Sequence, residues 1–242
     1  DKFFNFFRTK ALKRNLKVIS FGNKKNADVH ILKTYNKKYK KKLIVKINDI
    51  KKNFIIKNNN FNHYLNILAT IATISNFADI KNLKEDIFYN YNLPEGRGNF
   101  FKLKINNKII YIIDESYNSN PLSLEHSIKN FSSMNIKSNK KNVLLGDMLE
   151  LGKFSKKLHN QASNVINKSN INKVYVYGKH IKLTFNKIKP QKKGKILISK
   201  NDIYSLIKND LKSNDFLMVK GSNATGLYEE LSKIKLGSLN AL

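Results

Sequence analysis

From residue 100 onward the chain alternates short apolar runs with helix-length segments, and that rhythm constrains its fold more than any other feature. Phe100–Ile105 and Lys108–Ile113 read as a hairpin across Asn106–Asn107. Strand candidates follow at Asn142–Leu145, Lys173–Tyr177, Lys195–Ile198 and Phe216–Val219. Between and after them lie helix candidates at Leu122–Phe131, Ser155–Asn167, Asp202–Leu211 and Gly226–Lys235. This alternation predicts an α/β fold with a mostly parallel sheet and helices on both faces. Such sheets bind ligands at the carboxyl ends of their strands, so functional residues are sought there.

The first third has a different rhythm. Val18–Gly22 is an apolar run closed by glycine, which reads as a buried strand. Val29–Tyr35, Lys42–Ile47 and Asn53–Lys57 are separated by Asn and Lys clusters and predict a small antiparallel meander. Asn62 then caps a helix running to about Ala78, with Leu65, Leu68, Ala69, Ala72 and Ile74 on one face. Leu93–Gly98 (LPEGRG) holds one of the three prolines and two glycines, so the domain boundary is placed there, giving 1–95 and 96–242.

Charge has to be weighed before function. Lys plus Arg total 46 against 17 Asp plus Glu, a formal +29. Such a balance suits nucleic acid, an anionic membrane or an acidic ligand. Here, however, Lys, Asn and Ile are abundant throughout while Pro, Trp and Arg are scarce, which is the mark of composition drift. Arginine makes the bidentate base and phosphate contacts that specific readers favour, and the lysine runs at 37–42 and 191–195 sit between apolar segments as solvated turns do. No specific nucleic-acid partner is expected. The longest apolar stretch, Leu65 to Ile74, is too short to span a bilayer, so no membrane insertion is expected either. There is no cysteine, which excludes disulfides and thiolate chemistry and fits a reducing, cytoplasmic setting. The start lacks a signal-peptide pattern and reads like the middle of a longer protein.

Four strand ends carry polar residues. Asp114–Pro121 (DESYNSNP) sets two carboxylates, three hydroxyls and two amides directly after an apolar strand, with Pro121 suited to a first helical turn. An Asx-rich turn and a helix cap account for three of them, but not for the paired acids. Gly146–Gly152 (GDMLELG) again runs from a strand into carboxylates, Asp147 and Glu150. Gly178-Lys179 reads as a structural turn. Lys220–Gly226 (KGSNATG) offers a lysine, hydroxyls and backbone amides that suit an anion, although no P-loop pattern occurs in the chain. No histidine pair has zinc-ligand spacing; His159 reads equally as a satisfied helix residue or a catalytic one.

Taken together, IDESYNSNP, LLGDMLELG followed by His159, VKGS and LPEGRG resemble the Mur ligases in order and spacing. Within that family they are similar to the branch that joins D-alanyl-D-alanine to UDP-N-acetylmuramoyl-tripeptide. The resemblance implies that 1–95 is the second half of the central ATP-binding domain and that 96–242 is the whole Rossmann-like carboxy-terminal domain. It implies ATP-driven amide formation in peptidoglycan synthesis, through an acyl phosphate, by a cytoplasmic monomer. By the same resemblance Asn66, Arg97 and Glu115 bind ATP, while Asn118, Asn120, Asp147, Glu150, Lys220 and Ser222 face the dipeptide. Where the family has Gly-x-His-Asn-x-x-Asn, this chain reads from Asn60 through Asn62 and His63 to Asn66, so only Asn66 keeps its place. The UDP-binding domain, the P-loop and the Mg²⁺-binding carboxylates of the family have no counterpart. The chain is therefore expected to hold no metal and no catalytic group, and to be inactive alone. A basic nucleic-acid- or membrane-binding domain, and a Mur-type ligase with another acceptor, are the alternative readings.

Overall fold

The computed structural model describes residues 3–36, 40–57, 64–91, 94–105, 107–136 and 140–239. The proposed Asn62 cap, the Asn60–His63 segment, Asn106 of the hairpin turn, Leu93 of the boundary and 37–39 of the first lysine run lie outside them. The chain forms two compact units, Asp1–Asn92 and Leu93–Leu242. No described helix is long and apolar enough to cross a membrane.

The first unit opens with α1 (Phe4–Leu12), which buries none of its residues and which the sequence reading did not anticipate. The meander is β1 (Val29–Asn36), β2 (Lys40–Ile47) and β3 (Ile50–Lys57), antiparallel in that order. Along β2 the period of two puts Leu43, Val45 and Ile47 in the core and the intervening residues outward. Helix α2 (Tyr64–Ile74) packs Ile67, Leu68, Ile71 and Ala72 on that sheet. The expected face was rotated: Leu65 is exposed, because a helix apolar on nearly every side gives its periodicity little to select. It also stops four residues early. There Ser75 Oγ and Asn76 Nδ2 donate to the Ala72 carbonyl at 2.8 and 3.1 Å, satisfying the end of the helix with side chains. Val18–Gly22 is not a strand. It makes one parallel bridge, Phe21 to Val29, while Ser20 turns its amide and hydroxyl to the Asp28 carboxylate.

The second unit is an α/β sandwich. Its strands are β4 (Asn99–Ile105), β5 (Lys108–Glu115), β6 (Lys141–Gly146), β7 (Lys173–Tyr177), β8 (Lys193–Leu197) and β9 (Phe216–Lys220), in the sheet order β4-β5-β9-β6-β7-β8. All neighbours pair in parallel except β4, which is antiparallel to β5. Alternate residues supply two cores. Leu144, Tyr175, Leu217 and Val219 face α6 (Lys200–Ser205) and α7 (Leu227–Leu239); Val143, Leu145, Val174, Val176 and Met218 face α3 (Pro121–Ser133), α4 (Ser155–Asn167) and α5 (Ile181–Lys187). The connection from β8 returns through α6 to insert β9 between β5 and β6. The carboxyl ends of β5, β9 and β6 therefore lie side by side where the winding reverses, the place such sheets use for ligands. The expected helix at 202–211 is instead α6 followed by a π-turn at Leu206–Asp210, and α5 was not expected at all.

The central strand ends approach closely because both are glycine. A Cβ on Gly146 would lie 2.7 Å from Leu227 Cδ1 and 3.2 Å from the Gly221 Cα. Gly146→Ala is expected to destabilise the second unit by about 1–3 kcal/mol through overpacking. Urea unfolding measures it, and a change within about 0.5 kcal/mol contradicts the close approach.

Candidate functional site

The strand ends are organised around Lys220. Its side chain leaves β9, the middle of the three strands, and is only 3% exposed. Nζ donates to the Asn118 carbonyl at 3.0 Å and meets Glu115 Oε2 at 3.5 Å. Burial pushes the ammonium below its ordinary pKa; Glu115 opposes that shift and the Arg97 guanidinium adds to it. Glu115 keeps a quarter of its side chain exposed (24%), so its carboxylate lies between the buried cation and the outside.

Asp114, one residue earlier on β5, points to the opposite face and is buried. It accepts from the Ser116 amide at 3.0 Å and from the Ser116 hydroxyl at 2.5 Å, which fixes the turn after the strand. Burial raises its pKa. The paired acids are thus divided by the period of the strand: Asp114 shapes the turn and Glu115 faces Lys220. Asn120 caps α3, accepting from the Ser123 amide at 2.8 Å in a capping box, with Pro121 next. Asn118 is exposed, and its Oδ1 accepts from the Ser119 amide at 2.7 Å. Ser119 Oγ is buried with no hydrogen-bond partner, the single such side-chain atom among the described residues.

The GDMLELG segment is held from three directions. Asp147 Oδ1 and Oδ2 accept from the backbone amides of Lys179, His180 and Ile181 at 2.7–3.0 Å, so its carboxylate caps the start of α5. Those three bonds make Asp147 a brace between the end of β6 and the start of α5. His159 is fully buried; Nε2 accepts from the Met148 amide at 3.1 Å and Nδ1 donates to the Ser155 carbonyl at 2.9 Å. The imidazole is therefore neutral and structural, and burial lowers its pKa. Ser222 joins the segments: its Oγ donates to the Ser119 carbonyl at 3.2 Å and accepts from the Leu149 amide at 2.9 Å. Glu150 is exposed at the tip, in a left-handed conformation with φ 61°.

The structure thus gathers Glu115, Asn118, Lys220 and Ser222 at adjoining strand ends, and sets Arg97 beside them over the Tyr117 ring, 4.5 Å from its centroid. Asn120 and Asp147 serve as caps. Asn66 lies in the first unit, exposed on α2. The sequence reading missed Ser119, whose burial no pattern announces, and Tyr228, whose ring packs edge-on to Tyr117 at 6.1 Å. Among the described residues no three or more His, Asp or Glu side chains group to hold a metal ion.

Residues 96–223 match the family described as Mur ligase, glutamate ligase domain. The UDP-N-acetylmuramoyl-tripeptide–D-alanyl-D-alanine ligase of Bacillus subtilis is 30% identical over 121 residues, 49% of this chain and 26% of that protein. The Buchnera aphidicola enzyme of the same name, from the Acyrthosiphon pisum symbiont, is 35% identical over 124 residues, 49% of this chain and 25% of the relative. The chain thus matches about a quarter of the length of these curated relatives. The crystal structure of Thermotoga maritima MurF ligase in complex with ADP superposes with a TM-score of 0.70 and 21% identity, covering 99% of this chain and 53% of that one. MurF from Acinetobacter baumannii gives 0.75 at 17% identity, covering 97% and 49%.

The buried neutral His159 sets a pH dependence. Its folded pKa is below the unfolded value of 6.5, so the unfolded chain takes up a proton first as pH falls. Stability is complete above 6.5 and declines below it, by up to about 1.4 kcal/mol per pH unit. His159→Gln is expected to abolish that part of the slope in urea unfolding between about pH 7.5 and about pH 5. An unaltered slope contradicts the neutral, bonded imidazole.

Proposed function

Because this chain belongs to the Mur ligase family, we propose that it forms the amine-delivering part of a ligase joining D-alanyl-D-alanine to UDP-N-acetylmuramoyl-tripeptide with ATP. The observation that carries the reading is the cluster at the adjoining ends of β5, β9 and β6, where a cation, a carboxylate and polar side chains gather. The family match over 96–223 and the likeness to D-alanyl-D-alanine ligases over about half of the chain support it.

Amide formation from a carboxylate needs an activated acyl group and an amine held in place; an acyl phosphate supplies the first. In this reading Glu115 accepts from the ribose hydroxyls of the nucleotide and Arg97 donates beside it; Asn66, on α2 of the first unit, is assigned to ATP binding by the resemblance alone. Asn118 and Ser222, with the unpartnered Ser119 hydroxyl, supply hydrogen-bond groups to the dipeptide. Lys220 holds the Asn118 carbonyl and the Glu115 carboxylate, linking the two binding functions. Glu150 stands at the rim, and Asn120 and Asp147 act by holding their loops. Phosphate and Mg²⁺ handling is assigned to residues outside this chain, and the protein is assigned to the cytoplasm as a monomer with no nucleic-acid or membrane partner. Ligases for other acceptors fit less well, since the DESYNSNP and GDMLELG strings follow the D-alanyl-D-alanine branch.

The test is steady-state kinetics of a polypeptide joining this chain to a P-loop-bearing ATP-binding half. Glu115→Ala and Arg97→Ala are expected to raise the KM for ATP roughly tenfold or more, and Lys220→Ala to raise both KM values. Wild-type kinetics in all three variants, or no consumption of D-alanyl-D-alanine, overturns the reading.

A further inference from the structure

The segment before β4 is docked on its own unit through several independent bonds. The Gly98 amide donates to the Asp114 carbonyl at 2.7 Å, and the Tyr117 amide donates to the Gly96 carbonyl at 3.1 Å. Glu95 reaches α7: Tyr228 Oη donates to its Oε2 at 3.2 Å, and Lys235 Nζ meets its Oε1 at 3.3 Å. Gly96 is buried at φ +73°, and a Cβ there would sit 2.8 Å from Tyr117 Cβ and 3.0 Å from Tyr228 Cδ2. The Tyr117 backbone and Cβ on one side and the Tyr228 ring on the other thus form a slot that only glycine enters, and the next residue, Arg97, lays its guanidinium on the Tyr117 ring.

We propose that Tyr228, in the first turn of α7, is a positioning residue that holds Arg97 at the strand-end site. It does so by closing the slot around Gly96 and anchoring Glu95. The Glu95–Lys235 pair is solvent-exposed on both sides (62% and 43%) and adds little by itself. The ring contact and the backbone bonds carry the docking. The importance of this docking for nucleotide binding rests on the function proposed above; the docking itself does not.

Native-state trypsin cleavage after Arg97, followed by mass spectrometry on the chain as it stands, tests the docking separately from that function. Cleavage after exposed Lys129 in the same unit is the internal reference. The Tyr228→Ala variant is expected to speed the Arg97 cut roughly three- to tenfold relative to Lys129. Tyr228→Phe keeps the ring and loses only the Glu95 bond, so at most about a threefold rise is expected. Gly96→Ala, which leaves α7 intact, should match or exceed Tyr228→Ala. The melting temperature of each variant separates local release from unfolding. If Arg97 is cut as fast as Lys129 in the unmodified chain, or if neither Tyr228→Ala nor Gly96→Ala changes the ratio, the proposal is wrong. If the docking holds but the nucleotide KM of the joined polypeptide ignores Tyr228→Ala, the functional reading fails instead.

Discussion

The site depends on one buried ammonium. Lys220 leaves the middle of three parallel strand ends, so whatever it bonds becomes fixed relative to the sheet. A buried cation is costly, and its carboxylate partner at 3.5 Å is too distant to offset that cost fully. Stability is therefore a poor account of why it is there. What it fixes is conformation: it ties the Asn118 carbonyl, in the loop after β5, and the Glu115 carboxylate, at the last residue of β5, to the end of β9. Ser222, two residues on, adds a second tie at the Ser119 carbonyl and passes the constraint to Leu149. Three loops from three strands are thereby locked together within a few residues.

Lysine elsewhere plays a quieter part. Lys141 Nζ donates to the carbonyls of Ser132 and Met134, closing the end of α3, and Lys192 Nζ does the same for Ser169 and Ile171 after α4. Lys108 Nζ bonds the carbonyls of Lys208 and Leu211 at the π-turn. Helix ends carry unpaired carbonyls and partial negative charge, so a cation is favoured there. A composition rich in lysine is thus partly absorbed as structure, which weakens any inference from net charge to an anionic partner.

The second unit was legible because its strands are short apolar runs bounded by turns. Lys173–Tyr177 and Ser155–Asn167 were read to the residue. Legibility failed where a local signal lacked a tertiary partner. Val18–Gly22 has strand composition, but Asp28 takes the Ser20 amide and hydroxyl, and pairing is limited to one bridge at Val29. Helix α5 is short and depends on Asp147, which comes from another strand end 32 residues earlier in the chain. At the site, residue types were readable while division of labour was not. Asp114 and Glu115 look equivalent in sequence and part only by which side of the strand they occupy. His159 read two ways until its partners proved to be two backbone groups. Tyr228 carried no motif at all.

The central claim is that Lys220 holds the Asp114–Asn120 loop in its site conformation. Hydrogen–deuterium exchange at the Tyr117 and Ser119 amides in Lys220→Met tests it most directly. Removing the ammonium while keeping an apolar stem should leave overall stability within about 1–2 kcal/mol, since a buried charge is exchanged for packing. Exchange at those two amides should nevertheless rise roughly tenfold or more. Unchanged exchange there, with the sheet amides equally protected, contradicts the account.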